Sequence, residues 1–123
     1  MTPKLLSATS IEGTKVINAK DEKIGEIKDL MIDWENGSVA YAVLSFGGVM
    51  GLGEKLFAIP LEAFEFNTHR DEEVVLLNVD KESLKEAPGF DKDNWPQNPD
   101  RAFIDSVFTY YGYEPYWKRY TNV

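Results

Sequence analysis

The residues best equipped for chemistry in this 123-residue chain are a run of glycines, a set of carboxylates and a single histidine. Gly47, Gly48, Gly51 and Gly53 follow an apolar run, which is how a phosphate-binding loop begins. Such a loop ends in Gly-Lys-Ser or Gly-Lys-Thr, whereas here Gly53 is followed by Glu54-Lys55-Leu56. A dinucleotide fingerprint would need a third glycine where Leu56 stands, and Glu54 would repel an anion. The four glycines are therefore read as connector residues that supply positive φ and close backbone approach, Asn36-Gly37 as a turn whose two residues tolerate positive φ, and Pro60 as the stop of the strand before it.

Acid pairs exchange protons or hold hard cations, and this chain has candidates in Asp29, Asp33 and Glu35, in 71–73, and in Asp91, Asp93 and Asp100. Asp91-Lys92-Asp93-Asn94 nevertheless lacks the central glycine and terminal glutamate of a calcium loop. Asp29 and Asp33 are expected to accept hydrogen bonds at strand ends, a stabilising role. His69 lies in a polar turn between Thr68 and Arg70, and with no cysteine in the chain a thiolate metal site is excluded. No catalytic, cofactor-binding or metal-ligating residue is assigned, and no cofactor is expected.

Interface chemistry is better represented. Tyr110, Tyr111, Tyr113, Tyr116 and Trp117 crowd the C-terminus, and tyrosine and tryptophan rings bury a large area while keeping a polar edge, which suits an interface. Tyr41, Val43 and Phe46 join them as interface candidates, because both faces of the run 39–46 are apolar. The rings have two uses open to them: closing the chain's own barrel or packing on a sister chain. The charge narrows the partners. Thirteen Lys and Arg stand against 21 Asp and Glu, a formal net charge of -8, which repels phosphate backbones and anionic membranes. Nucleic acid is excluded as a partner on this ground. The N-terminus is too short in apolar residues for a signal peptide and no run approaches a membrane span, so a soluble, cytoplasmic protein without membrane insertion is expected.

The elements that must position these residues are mostly strands. Apolar runs at 15–18, 24–34, 39–46, 56–59, 64–66 and 74–79 are separated by polar or glycine-rich turns, which predicts an all-β fold, a small barrel of about six strands. The apolar residues of 24–34 change parity, so a bulge is expected near Gly25 or at Lys28-Asp29. Asn36-Gly37 predicts a hairpin joining that strand to 39–46, on which Val39, Tyr41 and Val43 face one way and Ala40, Ala42, Leu44 and Phe46 the other. Pro60 begins a tight corner. Asp80 caps a short helix over 81–86 that Pro88-Gly89 ends, and 90–100 is a linker lying on the surface through Trp95. A helix over 101–111 follows, with Gly112 as its C-cap. The organisation expected is an N-terminal arm at 1–12, a barrel at 13–90, and a linker, short helix and aromatic extension at 91–123.

Gly25-x-Ile27-x-Asp29-Leu30-x-Ile32-Asp33, Gly37-x-Val39-x-Tyr41-Ala42-Val43-Leu44-Ser45-Phe46-Gly47-Gly48 and Gly51-x-Gly53-x-Lys55-x-Phe57-Ala58-Ile59-Pro60 stand in this order along the chain. Together with Leu77-x-Val79-Asp80-Lys81-x-x-Leu84 and Ala87-Pro88-Gly89-Phe90, they resemble the PRC-barrel domain over residues 13–90. Tyr110-Tyr111-Gly112-Tyr113-x-Pro115-Tyr116-Trp117 resembles the ending of short stand-alone bacterial members. The family is named after the cytoplasmic domain of the photosynthetic reaction-centre H subunit, and a related barrel forms half of a ribosome maturation factor. The H subunit's transmembrane helix and the maturation factor's second domain are not expected here. The resemblance implies a non-enzymatic module for protein interaction, assembly or regulation. Homodimers or higher assemblies, and another protein as partner, are the expectation. A barrel binding a small molecule or metal near the glycine connector and Asp29/Asp33 is the alternative, with an H-subunit-like role in assembling an electron-transfer complex beside it.

Overall fold

A computed structural model describes residues 7–47, 54–66, 74–79, 83, 84, 87, 89–91 and 101–118. Its strands are β1 (Lys15–Ile17), β2 (Lys23–Asp33), β3 (Ser38–Gly47), β4 (Glu54–Ile59), β5 (Phe64–Glu65), β6 (Val74–Leu77) and β7 (Gly89–Asp91). Its helices are α1 (Ala8–Ile11) and α2 (Arg101–Tyr110), with a 3-10 turn at Leu61–Ala63. The described strands form one seven-stranded sheet in the order β5-β6-β1-β2-β3-β4-β7. It is a mixed sheet curled into a half-barrel, because β1 pairs with β6 in parallel while the remaining pairs are antiparallel.

The two long strands can curl because their registers are broken. Between β2 and β3, Ile27 faces Leu44 and Asp29 faces Val43, leaving Lys28 as an extra residue in β2. Farther along, Met31 faces Tyr41 and Ile32 faces Val39, leaving Ala40 as the extra residue in β3. A third irregularity lies between β1 and β2, where Val16 faces Gly25 and Ile17 faces Lys23, so Ile24 is skipped. Both predicted bulge positions in β2 are thus occupied. Each extra residue bends the strand and raises its twist, which lets one sheet present two different packed faces.

Those faces carry two cores. The inner one gathers Val16, Ile24, Ile27, Ala42, Leu44, Phe57, Ile59, Phe64, Val75 and Leu77, with Leu84 and Ala87 from beyond β6. The outer one gathers Ala40, Tyr41, Val43, Leu56 and Ala58 from the sheet with Ile104, Val107 and Phe108 of α2 and Tyr116 beyond it. Ala40 therefore packs with Tyr41 and Val43, a correction to the strict alternation expected of 39–46, and the bulge at Ala40 is the reason. The C-terminal helix lies on β4 and covers this outer face within one chain.

Helix α2 ends as the sequence leads one to expect. Gly112 has φ +82°, its N–H bonds the Thr109 carbonyl at 3.1 Å, and the Tyr113 N–H bonds the Phe108 carbonyl at 2.9 Å. This Schellman pair satisfies the last helical carbonyls and turns the chain back toward the sheet. Three expectations need correction. Residues 89–91 form an edge strand on β4 where a helix stop and linker are predicted, because register with Lys55–Phe57 supplies bonds that the local sequence does not advertise. Residues 8–11 form a short helix inside the predicted arm, started by Ser7, whose hydroxyl accepts from the Ser10 N–H at 3.2 Å. The parallel partner of β1, across about sixty residues, has no counterpart in the hairpin reading. Ser83 and Leu84 are helical as expected, whereas Asp80, Pro88, Trp95 and the rest of 92–100 lie outside the described residues.

Candidate functional site

The β2–β3 hairpin is the longest feature of the sheet, and its tip is organised by one carboxylate. Asp33 accepts from the Glu35 N–H at 3.0 Å and the Asn36 N–H at 3.1 Å through Oδ1, and from Asn36 Nδ2 at 3.1 Å through Oδ2. Its own carbonyl accepts from the Gly37 N–H at 2.8 Å. The turn is therefore a four-residue loop over 34–37 closed by the Asp33–Ser38 pair, with Gly37 at φ +66° and Asn36 at negative φ. The predicted hairpin is present, and of the two residues that tolerate positive φ only Gly37 uses it. The aspartate side chain does the folding back, as short polar side chains do when they bond backbone two residues on.

Asp33 is also the anchor of the C-terminus. The Tyr116 hydroxyl donates to Asp33 Oδ2 at 2.5 Å across 83 residues of chain. Together these bonds hold the Asp33 carboxyl below the ordinary aspartate range, with the Tyr116 hydroxyl the largest cause, followed by the Asn36 N–H. Because the folded group is the more acidic one, its stabilisation is fully present above the unfolded aspartate value of about 3.9 and is lost as pH falls through the lower folded value. Tyr116→Phe is accordingly expected to cost about 1 kcal/mol near neutral pH. The gap in melting temperature between the variant and the parent chain should narrow as the pH drops below about 3.9. Thermal melts across the acid range check this, and a gap that stays constant with pH would exclude Asp33 as the acceptor that matters.

The other interface candidates divide between buried and exposed. Tyr41, Val43 and Tyr116 are 1%, 0% and 2% exposed, sealed within the outer core. Tyr41 meets Phe103 edge-on at 6.1 Å, and burial pushes its phenol up. Phe46 is half-buried on the inner face, edge-on to Phe57 at 5.8 Å. Trp117 is half-buried under the Arg101 guanidinium at 5.1 Å and edge-on to Tyr116 at 5.3 Å, which ties the chain end to the start of α2. Tyr110 is exposed but tethered, its hydroxyl donating to the Ser83 carbonyl at 2.6 Å, while Tyr111 is partly buried against the inner core and Tyr113 is exposed.

Among the turn and connector residues, Gly47 closes β3 opposite Glu54, and Pro60 precedes the 3-10 turn and accepts from the Ala63 N–H at 3.0 Å. Gly48, Gly51, Gly53 and His69 lie outside the described residues. Asp29 Oδ1 accepts from the Leu30 N–H at 2.8 Å. Among the described residues no three His, Cys, Asp or Glu side chains gather as a metal site, and no helix is long and apolar enough to cross a membrane.

Two residues of consequence, Trp34 and Asn18, are read from the sequence as strand ends and not as site candidates. Trp34 stands at the hairpin tip with 93% of its surface in water, and Ile32, two residues earlier on the same strand, is 55% exposed. Asn18 is the opposite case, a polar side chain 2% exposed. Its Oδ1 accepts from the N–H groups of Lys20 and Glu22, and its Nδ2 donates to Glu22 Oε1 at 2.9 Å and reaches the Val79 carbonyl at 3.5 Å. It both builds the β1–β2 turn and holds the chain leaving β6. Asparagine at the head of a polar turn is the signal of its turn role, while its burial has no local signal.

Comparison with curated proteins returns no significant match. The model of the PRC-barrel domain matches residues 3–84, from the N-terminal arm through β6 to Leu84. With that match over most of the chain, on a half-barrel of the expected kind, this protein belongs to the PRC-barrel domain family.

Proposed function

We propose that this chain is a non-enzymatic interaction module that self-associates, with the tip of the β2–β3 hairpin as its contact surface. The observation that supports this reading is Trp34. A tryptophan ring kept almost wholly in water loses the burial that makes it worth having, and tryptophan is the residue most enriched among interface anchors. Ile32 widens the apolar surface beside it, and the Asp33 network beneath holds the loop in one shape, so little ordering entropy remains to be lost on contact. A twofold pairing would bring each tip against the same patch of a second copy. Tyr113, exposed at the far end of α2, is the other aromatic available to a further protein partner. The proposal includes a cytoplasmic setting and, on the net charge of -8, excludes nucleic acid as a partner.

Sedimentation equilibrium at micromolar concentration is the test. The parent chain is expected to dimerise, and Trp34→Ser to weaken the dimer about thirtyfold, the effect of losing an interface anchor. Its melting temperature extrapolated to low concentration should stay unchanged, because Trp34 supports no core. A parent chain that remains monomeric, or a variant that associates equally well, would refute the assignment.

A further inference from the structure

Asn36 is the one asparagine in the chain that is followed by glycine, and both residues are exposed at the tip of the β2–β3 hairpin. An Asn-Gly pair in water carries its own reaction. The Gly37 amide nitrogen, unhindered by a side chain, attacks Cγ of Asn36; the N–Cγ bond forms, the Cγ–Nδ2 bond breaks, and Nδ2 leaves as ammonia with the Gly37 N–H proton. Water then opens the succinimide ring at either carbonyl and leaves aspartate or an isoaspartyl linkage at position 36. One water is consumed for each ammonia released. In the fold the nitrogens of this reaction are all held by Asp33. The Gly37 N–H donates to the Asp33 carbonyl at 2.8 Å, the Asn36 N–H to Oδ1 at 3.1 Å, and Nδ2, the leaving group, to Oδ2 at 3.1 Å. The Tyr116 hydroxyl donates to the same Oδ2 and fastens Asp33 to the C-terminal segment.

From this conjunction we infer that Asn36 is a modification site, converted to aspartate or isoaspartate with loss of ammonia, and that Asp33 guards it, so that conversion proceeds only while the Asp33 bonds are open. Attack requires the Gly37 nitrogen to leave its carbonyl acceptor and the Asn36 side chain to swing over that nitrogen. The bonds to Asp33 hold both partners and oppose the rearrangement. The folded chain therefore converts at the rate of the denatured chain scaled by the fraction of time the tip is open. Of the two holds, the one on Nδ2 is the firmer, because its acceptor is ionised. The product does not fit the tip. A carboxylate at position 36 sets an acceptor against Asp33 Oδ2 where a donor had been, and the two like charges repel. An isoaspartyl linkage also lengthens the loop backbone by a methylene group. Either product unseats the loop that carries Trp34, which on the self-association reading releases the contact; the reaction itself does not depend on that reading.

The test is incubation of the full-length protein at mildly alkaline pH, folded and in urea, with conversion located at residue 36 by peptide fragmentation in a mass spectrometer and isoaspartate counted by methyltransferase labelling. In urea the parent chain is expected to convert at Asn36 before any other asparagine. The folded parent should convert about fiftyfold more slowly, the combined value of one charged and one neutral hydrogen bond. Asp33→Asn keeps an acceptor for the backbone N–H groups but turns an amide toward Asn36 Nδ2, so the folded variant should convert about tenfold faster than the folded parent. Val75→Ala weakens the inner core on β6, two strands away from the hairpin, and should leave the rate as in the parent. Gly37→Ala, whose added methyl group meets nothing within 4 Å in the fold, should slow conversion in urea by hindering the attacking nitrogen. The inference is overturned by a folded parent that converts as fast as in urea, by an Asp33→Asn variant no faster than the parent, by a Val75→Ala variant accelerated as much as Asp33→Asn, or by conversion in urea that Gly37→Ala does not slow.

Discussion

Gly25→Ala is expected to lower the melting temperature by about 10 °C or more, corresponding to roughly 3 kcal/mol, although it adds a single methyl group. A Cβ at this position would stand 2.0 Å from the carbonyl oxygen of Ser45 and 3.0 Å from its carbonyl carbon. No rotamer change relieves such a contact, because both atoms belong to the backbone of β3. The strands must part instead, and they part where β2 crosses from its pairing with β1 to its pairing with β3, beside the skipped residue Ile24. Separation there disturbs Ile27 and Leu44, both completely buried in the inner core. Glu26→Ala, one residue along and exposed, is the control and should stay within about 0.5 kcal/mol. Chemical denaturation of both variants checks the difference, and comparable melting of Gly25→Ala and the parent would show that the strands do not approach as closely as described.

Phe108→Ala carries the second large effect, an expected loss of about 3–5 kcal/mol, and it decides whether α2 is part of the domain or an attachment to it. Phe108 is completely buried, within the outer core and 5.9 Å from the Tyr116 ring. Phe57→Ala, at an equally buried site in the inner core, is the benchmark. Similar losses mean that the two cores fold as one cooperative unit. A loss below about 1 kcal/mol at Phe108 would mean that α2 detaches while the sheet survives, leaving Tyr41, Val43, Leu56 and Ala58 in water. The family match ends at Leu84, before α2 begins, so the outer core is completed by a segment outside the matched region.

Much of this architecture was legible in the residues themselves. The six apolar runs are all strands, the bulges in β2 fall where its parity breaks, and Gly112 ends α2. Each of these signals is local, resting on alternation over a few residues or on one residue type suited to one backbone conformation. Strand β7 carried no such signal. Its three residues have no alternation of their own, and they pair because Lys55, Leu56 and Phe57 present an open edge. Asn18 was hidden for a related reason: a buried turn asparagine reads like an exposed one until the Val79 carbonyl arrives beside it.

The candidate site shows the same division. Aromatic residues at Trp34, Tyr41, Tyr110, Tyr111 and Tyr116 look alike in a sequence, being large and amphipathic. In the fold Tyr116 disappears beneath the hairpin and gives its hydroxyl to Asp33, Tyr41 is sealed under α2, Tyr111 keeps a hydroxyl without an acceptor, and Trp34 is left in water. Six of the strands, the bulges of β2 and the acidic charge are readable from periodicity, backbone preference and composition, and the family from ordered motifs that resemble it. Which aromatic rings are spent on the chain's own core, and which are left for something else, follows from the packing alone. Burial is set by contacts between residues far apart in the chain, and no local pattern records them.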